Sequence, residues 1–214
     1  MKYEHIVWDF NGTIVDDVGI GIDSVNPMLA ARGLDIIPSV AFYRELFDFP
    51  IIDYYKALGF DFSREPYEVV AHEWVRNYKA LSPHAPCVKG VRELIEYFEK
   101  IGAKQLILSA SESEMLKEKL FSLGLLDKFS HLLALDNIYA HSKLDIAKAY
   151  FAHKDKSKYV IIGDTVHDAQ VARELGVDAY LVECGHHPRH KLEETGFPVF
   201  DDMHALLEYV KNQA

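Results

Sequence analysis

The sequence predicts an α/β protein: a doubly wound parallel sheet of Rossmann-like type with an all-helical unit inserted into it. Three observations lead there. The run Ile6-Val7-Trp8 is fully apolar, as in a strand covered on both faces. From Val88 onward, apolar strand-like runs alternate with helical stretches, the pattern of a parallel doubly wound sheet. Between Asp16 and Leu81 nothing alternates apolar with polar as a half-buried strand would. The expected division is a core of residues 1–15 and 86–214, interrupted by a helical domain at 16–85.

Taken in order, the first strand ends near Phe10, and the chain turns at Asn11-Gly12. Asp16-Asp17 forms a plausible N-cap for a helix from Asp17 to Arg32, which Pro27 should kink and Gly33 should stop. Helices are expected at Ser39–Phe47, Ile51–Leu58 and Glu65–Ala80, the last with Ser63 as cap and Pro66 in its first turn. The many aromatics of this stretch are more simply its core than a cofactor site. Ser82-Pro83-His84-Ala85-Pro86 reads as a linker.

In the second part, Val91–Lys100 is an amphipathic helix, and Gln105–Ser109 a buried strand ending in a hydroxyl residue. A helix at Glu112–Leu123 is expected to be capped by Ser111. His131–Ala134 is a short strand, followed by Lys143 and a helix to about Phe151. Lys158–Gly163 is the clearest strand and runs into Asp164-Thr165-Val166-His167-Asp168. A helix Asp168–Leu175, strands at Val177–Val182 and Pro198–Phe200 and a helix Met203–Val210 complete the chain.

Composition narrows the function. The chain has 214 residues and a net charge of −10, which argues against nucleic-acid and anionic-membrane partners. An acidic protein that binds a phosphorylated metabolite needs local cations to do so. Cys87 and Cys184 lack metal-ligand spacing and suit reduced thiols, so a cytoplasmic location is expected. The N-terminal apolar run is too short for a signal peptide, and no run approaches a membrane span. His186, His187 and His190 cluster without zinc-like partners, which fits a loop or a pocket rim.

In a parallel sheet the carboxyl ends of all strands lie on one edge. Asp9, Ser109, Lys143, Asp164 and Asp168 therefore should converge. Carboxylates at such a spacing suit Mg²⁺, and a carboxylate beside Mg²⁺ can attack phosphorus. A lysine can neutralise phosphoryl oxygens, and a serine hydroxyl can donate to one.

Asp9-Phe10-Asn11-Gly12-Thr13, Ser109, Lys143 and Gly163-Asp164-Thr165-Val166-His167-Asp168 resemble, in order, the four motifs of the haloacid dehalogenase superfamily. Most of its members are Mg²⁺-dependent phosphatases. The resemblance spans nearly the whole chain, and the helical insert resembles the family's cap of the first type, as in phosphoglycolate phosphatase-like members. It implies that Asp9 is the nucleophile, forming an aspartyl-phosphate. It implies Mg²⁺ held by Asp9, Asp164, Asp168 and the main-chain carbonyl of Asn11. It implies a phosphoryl site from Ser109, Ala110, Lys143 and the turn through Gly12 and Thr13. The cap should close over the site, hinged near Val15-Asp16 and Ala85-Pro86. Arg44 and His187 are candidates for substrate specificity.

One position departs from the pattern. The family's phosphatases usually place a second aspartate two residues after the nucleophile, to protonate the leaving oxygen and then activate water. Here it is Asn11, whose side chain exchanges no proton near neutrality. Losing such a group costs about 10²–10⁴-fold in rate. Open alternatives are a weak phosphatase, a substrate with a good leaving group such as an acyl phosphate, and a proton supplied by His84 or His167. Others are a phosphonate hydrolase using Lys56 or Lys79, a haloacid dehalogenase, or a non-catalytic phosphate-binding relative.

Overall fold

The computed structural model describes residues 2–136 and 143–213. Six strands form one wholly parallel sheet: β1 (His5–Trp8), β2 (Lys104–Glu112), β3 (Leu132–Leu135), β4 (Tyr159–Gly163), β5 (Asp178–Val182) and β6 (Val199–Phe200). Their order is β3-β2-β1-β4-β5-β6. β1 thus lies between β2 and β4, with Val7 opposite Leu106 on one side and Ile161 on the other. The chain leaves β1 in one direction and returns beside it from the other, which opens a crevice at the carboxyl ends.

Both faces of the sheet are covered. Ile6, Trp8, Ile107, Val160 and Ile162 pack on one face against α5 (Val91–Lys100) and α10 (Met203–Asn212). Val91, Leu94, Ile95 and Phe98 supply the buried stripe of α5 at helical spacing. Val7, Leu106, Leu108 and Ile161 pack on the other face with α7 (Leu144–Phe151) and α8 (Val166–Leu175). α6 (Ser113–Ser122) and the short α9 (Arg189–Glu193) complete the core layers; α9 was not anticipated from the sequence.

The insertion after β1 carries α1 (Val18–Ala31), α2 (Val40–Leu46), α3 (Ile51–Ala57) and α4 (Tyr67–Leu81). It has its own core, including Val25, Met28, Tyr43, Tyr54, Tyr55 and Val70. The two strands of chain joining it to the sheet run side by side: Asp16 N–H donates to Pro86 O (3.0 Å) and Val88 N–H to Ile14 O (2.9 Å). Pro27 lies inside one continuous helix.

Three capping expectations are corrected. Pro66, not Ser63, is the N-cap of α4; Ser63 instead bonds Asp61. Glu112, not Ser111, caps α6, accepting from Glu114 and Met115 N–H, because β2 continues to Glu112 through a register shift after Leu108. Asp17 stands at the N-cap of α1 without capping it, since its carboxylate is engaged elsewhere.

Candidate active site

Asp9 follows β1 directly and its N–H donates to Ile162 O of β4 at 2.8 Å, which fixes the strand end. Lys143 precedes α7, and its ammonium spans the crevice. Lys143 Nζ donates to Asp9 Oδ1 (2.5 Å), Asp168 Oδ1 (2.5 Å) and Leu108 O (3.2 Å). All three of its hydrogens therefore have acceptors.

Asp168 is the third residue of α8, and Thr165 is its N-cap. Asp168 N–H donates to Thr165 Oγ1, while Thr165 N–H donates to Asp168 Oδ2 at 3.0 Å. This capping box satisfies helix-end donors and locks one carboxylate oxygen, leaving Oδ1 toward Lys143. Asp164, at the end of β4, accepts from Thr13 Oγ1–H (2.6 Å) and His186 N–H (2.6 Å). Its space is tight: a Cβ at Gly12 would lie 2.4 Å from Asp164 Oδ2, and one at Gly185 2.0 Å. Gly12 also sits at φ +76°, so two constraints require glycine there.

Asp9, Asp164 and Asp168 each bring a carboxylate oxygen within 4.8 Å of the others. Burial pushes Asp9 well above the usual carboxylate range, with Lys143 opposing it. Burial also raises Asp164, to about 6. For Asp168 burial acts the same way, but the Lys143 ammonium outweighs it and holds the acid below its ordinary value. Burial works against the Lys143 ammonium, yet Asp168 and Asp9 together raise its pKa. Asp9 and Asp168 share one ammonium and Asp164 stands close to both, an excess of hard oxygen donors that a divalent cation would balance. The triad is consistent with a divalent metal site.

A cavity of about 150 Å³ opens between the strand ends and the insertion, lined by Asp9, Asn11, Ser109, Ala110 and Lys143 on the core side. Ser109 is buried, and its Oγ accepts from Ser111 N–H at 3.0 Å. Gly12 and Thr13 are not among the lining residues. Gly12 N–H is held by Val15 O and Asp17 Oδ1, both at 2.9 Å, and the Thr13 hydroxyl is spent on Asp164. Their place is beneath the carboxylates.

Arg44 and His187 also lie outside the cavity lining. Arg44 Nε donates to Gly185 O at 2.7 Å. His187 Nδ1 accepts from Val166 N–H (2.9 Å), and Nε2 pairs with Phe47 O (3.0 Å). That pairing places the proton on Nε2 of a neutral ring, and burial pushes its pKa down to about 4. Both residues tie the insertion to the sheet.

Of the two proton donors considered for Asn11's role, His84 is exposed and outside the cavity lining. His167 lines the cavity, stacked on Phe49, but burial lowers it to about 4, so it carries no spare proton near neutrality. Lys56 pairs with Asp53, and Lys79 is exposed; neither lines the cavity.

The structure adds a network that the sequence did not announce. Asn11 Nδ2 donates to Asp17 Oδ2 (2.5 Å) and Tyr78 Oη (2.9 Å), and the Tyr78 hydroxyl donates to Asp17 Oδ2 (2.7 Å). The Ser111 hydroxyl bonds Asn11 Oδ1. His186 Nε2 lies 3.3 Å from Asp17 Oδ1, and its Nδ1 is 2.7 Å from the Tyr43 hydroxyl. Burial disfavours the imidazolium, but Asp17, with Asp164 and Asp9, outweighs it and raises His186 to about 9. Asn11, Asp16-Asp17 and the His186 cluster each stand out in the sequence, but nothing there joins them, and Tyr43 and Tyr78 come from helices of the insertion.

The family model described as haloacid dehalogenase-like hydrolase matches residues 6–182. A phosphoglycolate phosphatase of Pseudomonas syringae pv. syringae is 24% identical over 94% of this chain and 78% of that protein. An N-acetylmuramic acid 6-phosphate phosphatase of Pseudomonas putida is 22% identical over 94% of this chain and 93% of the relative. Among solved structures, a haloacid dehalogenase-like family hydrolase from Streptococcus pneumoniae aligns with a TM-score of 0.82 at 18% identity, covering 98% of this chain and 99% of that one.

Proposed function

This chain belongs to the haloacid dehalogenase-like hydrolases, and on that premise we propose that it is a Mg²⁺-dependent phosphatase acting on a small phosphomonoester. Two distant relatives that align along nearly the whole chain are phosphatases, which supports this choice within the family. The observation that carries it is the sharing of Lys143 between Asp9 and Asp168 on the core side of the cavity. A nucleophile, a phosphoryl-neutralising cation and a metal-ligand carboxylate stand together there.

Asp9 attacks phosphorus and forms an aspartyl-phosphate. Lys143 and the Ser109 hydroxyl hold the phosphoryl oxygens, with Ala110 beside them on the cavity wall. Asp9, Asp164, Asp168 and the Asn11 carbonyl would hold Mg²⁺. Bound there, the ion supplies a Lewis acid that neutralises charge on the phosphoryl group. Thr13 and His186 N–H orient Asp164 for that role. Residues 16–85 act as the cap, whose closure keeps bulk water off the phosphoryl group. Arg44 and His187 serve that closure by seating the cap rather than by touching substrate.

Asn11 moves no proton, so the chemistry is attenuated unless the substrate makes up for it. The test is phosphate release from a generic aryl phosphate with and without Mg²⁺. Metal-dependent release that Asp9→Asn abolishes is the expected result. Metal binding without release from any phosphomonoester would contradict it.

A further inference from the structure

The cap side of the cavity is aromatic, and its composition bears on what leaves phosphorus. Phe47, Phe49, Tyr54, Tyr55, Trp74 and Tyr78 all line it. Among the described residues the only lysine or arginine on its wall is Lys143, already claimed by Asp9 and Asp168. His186 also lines the cavity, but its imidazolium is engaged by Asp17 and the Tyr43 hydroxyl, so a carboxylate or second phosphate on the substrate would meet no free cation beyond the phosphoryl site. Binding it there would leave a charge desolvated and unpaired.

The size and one polar group say more. The cavity measures about 150 Å³, the volume of an apolar cavity that admits one benzene ring, and it must seat the phosphoryl group as well, so it bounds the leaving group at a single ring. Tyr54 is buried, and its hydroxyl oxygen has no hydrogen-bond partner among the described residues. An orphaned buried hydroxyl is a free-energy cost that a ligand recovers if it supplies the partner.

Asn11 supplies the third constraint. Without a proton donor, the leaving oxygen must depart as its anion. A phenolate, with a conjugate-acid pKa of about 10 as in tyrosine, leaves far more readily than an alkoxide.

We propose that the substrate is an aryl phosphate: a single aromatic ring, uncharged apart from the phosphate, seated on the cap aromatics with an acceptor substituent for Tyr54. This rests on the phosphatase assignment and specifies its leaving group. An Asp9 carboxylate oxygen forms a bond to phosphorus while the phosphorus–aryl oxygen bond breaks, and the electron pair leaves on the phenolate. Water then attacks phosphorus, the bond to Asp9 breaks and returns its pair to the carboxylate, and the water proton passes to the phenolate. The products are a phenol and inorganic phosphate.

The experiment compares phosphate release, with Mg²⁺, from phenyl phosphate, 4-acetylphenyl phosphate, benzyl phosphate, 2-phosphoglycolate and acetyl phosphate. Acetyl phosphate has a good leaving group but no ring. The proposal expects kcat/KM for the two aryl phosphates to exceed that for benzyl phosphate and 2-phosphoglycolate by about tenfold or more. Trp74→Ala should lower the ratio of phenyl phosphate to acetyl phosphate turnover about tenfold. Tyr54→Phe should erase the advantage of the acetyl substituent. If either variant fails to fold, competition in the wild-type protein replaces it: phenylphosphonate should inhibit more tightly than methylphosphonate. Turnover of acetyl phosphate with no preference for aryl substrates overturns the aryl proposal and leaves the phosphatase assignment standing. Release from none of the five overturns both.

Discussion

Asn11 Nδ2 sits 2.5 Å from Asp17 Oδ2. The amide thus fills, with a donor, the place where a proton-exchanging carboxyl would meet a second carboxylate. Asn11→Asp would bring two acids together in a buried site, and like charges that close cannot both ionise. One of them should hold its proton well above the usual carboxylate range, which is what a general acid at neutral pH needs. The variant should raise phosphomonoester turnover by about tenfold or more, with a larger gain for alkyl than for aryl substrates. Initial rates for the two substrate types check this. An unchanged rate for both would show that residue 11 has no acid/base role here.

Lys143 holds the carboxylates together through short contacts to Asp9 and Asp168. Lys143→Met should therefore destabilise the metal-free protein by about 3–5 kcal/mol, because it leaves buried carboxylates without their counter-charge. Added Mg²⁺ should return part of that loss through preferential binding to the folded state. Thermal melts with and without Mg²⁺ measure both effects. Asp164→Asn in the wild-type background should blunt the Mg²⁺ response.

His187 predicts an acid limb to stability. It is neutral when folded, with its pKa depressed by burial to about 4, against an ordinary value of 6.5. Between those values the unfolded chain binds the proton and the folded one does not, so stability falls as pH drops from 6.5 toward 4. Above 6.5 the group contributes no slope. The whole effect is on the order of 3 kcal/mol. His187→Asn should reduce the slope of Tm against pH in that window, while His167, likewise depressed by burial to about 4, keeps its own share of the limb. An equally steep limb in the variant would assign the loss to other groups.

Tyr78 joins the cap helix α4 to Asn11 and Asp17. Tyr78→Phe leaves the buried Asp17 and the half-buried Asn11 each one partner short and should cost about 1–3 kcal/mol. Denaturant unfolding gives the number. Turnover of phenyl phosphate should fall with it, because the ring stays while the anchor of Asn11 is lost.

Much of the core was legible because its signals are local. Ile6-Val7-Trp8 has to be buried, and β4 runs into Asp164 without interruption, so both acids fall at strand ends. A parallel sheet then brings Asp9, Ser109, Lys143, Asp164 and Asp168 to one edge. Ser111 departs from its expected capping role for a local reason too. β2 continues past Ser109 through a register shift, which turns Ser111 toward Asn11 and passes the helix cap to Glu112. The chain neighbours of Asp17 suggest a capping role that its carboxylate does not fill. Its real partners, Tyr78 and His186, are brought by packing of the insertion, and no spacing announces them. The aromatics of the insertion divide between its core and the cavity wall, a distinction only the folded surface makes.

The most direct test of the account is the covalent state of Asp9 during turnover. Protein quenched in acid shortly after mixing with phenyl phosphate and Mg²⁺ should carry one phosphoryl group, mapped to Asp9 by peptide mass analysis. Because Asn11 cannot activate water, that species should accumulate, and Asn11→Asp should diminish it. Asp9→Asn should carry none and release no phosphate. Phosphate release by Asp9→Asn at the wild-type rate, or turnover with the phosphoryl group on another residue, would contradict the assignment of Asp9 as the nucleophile.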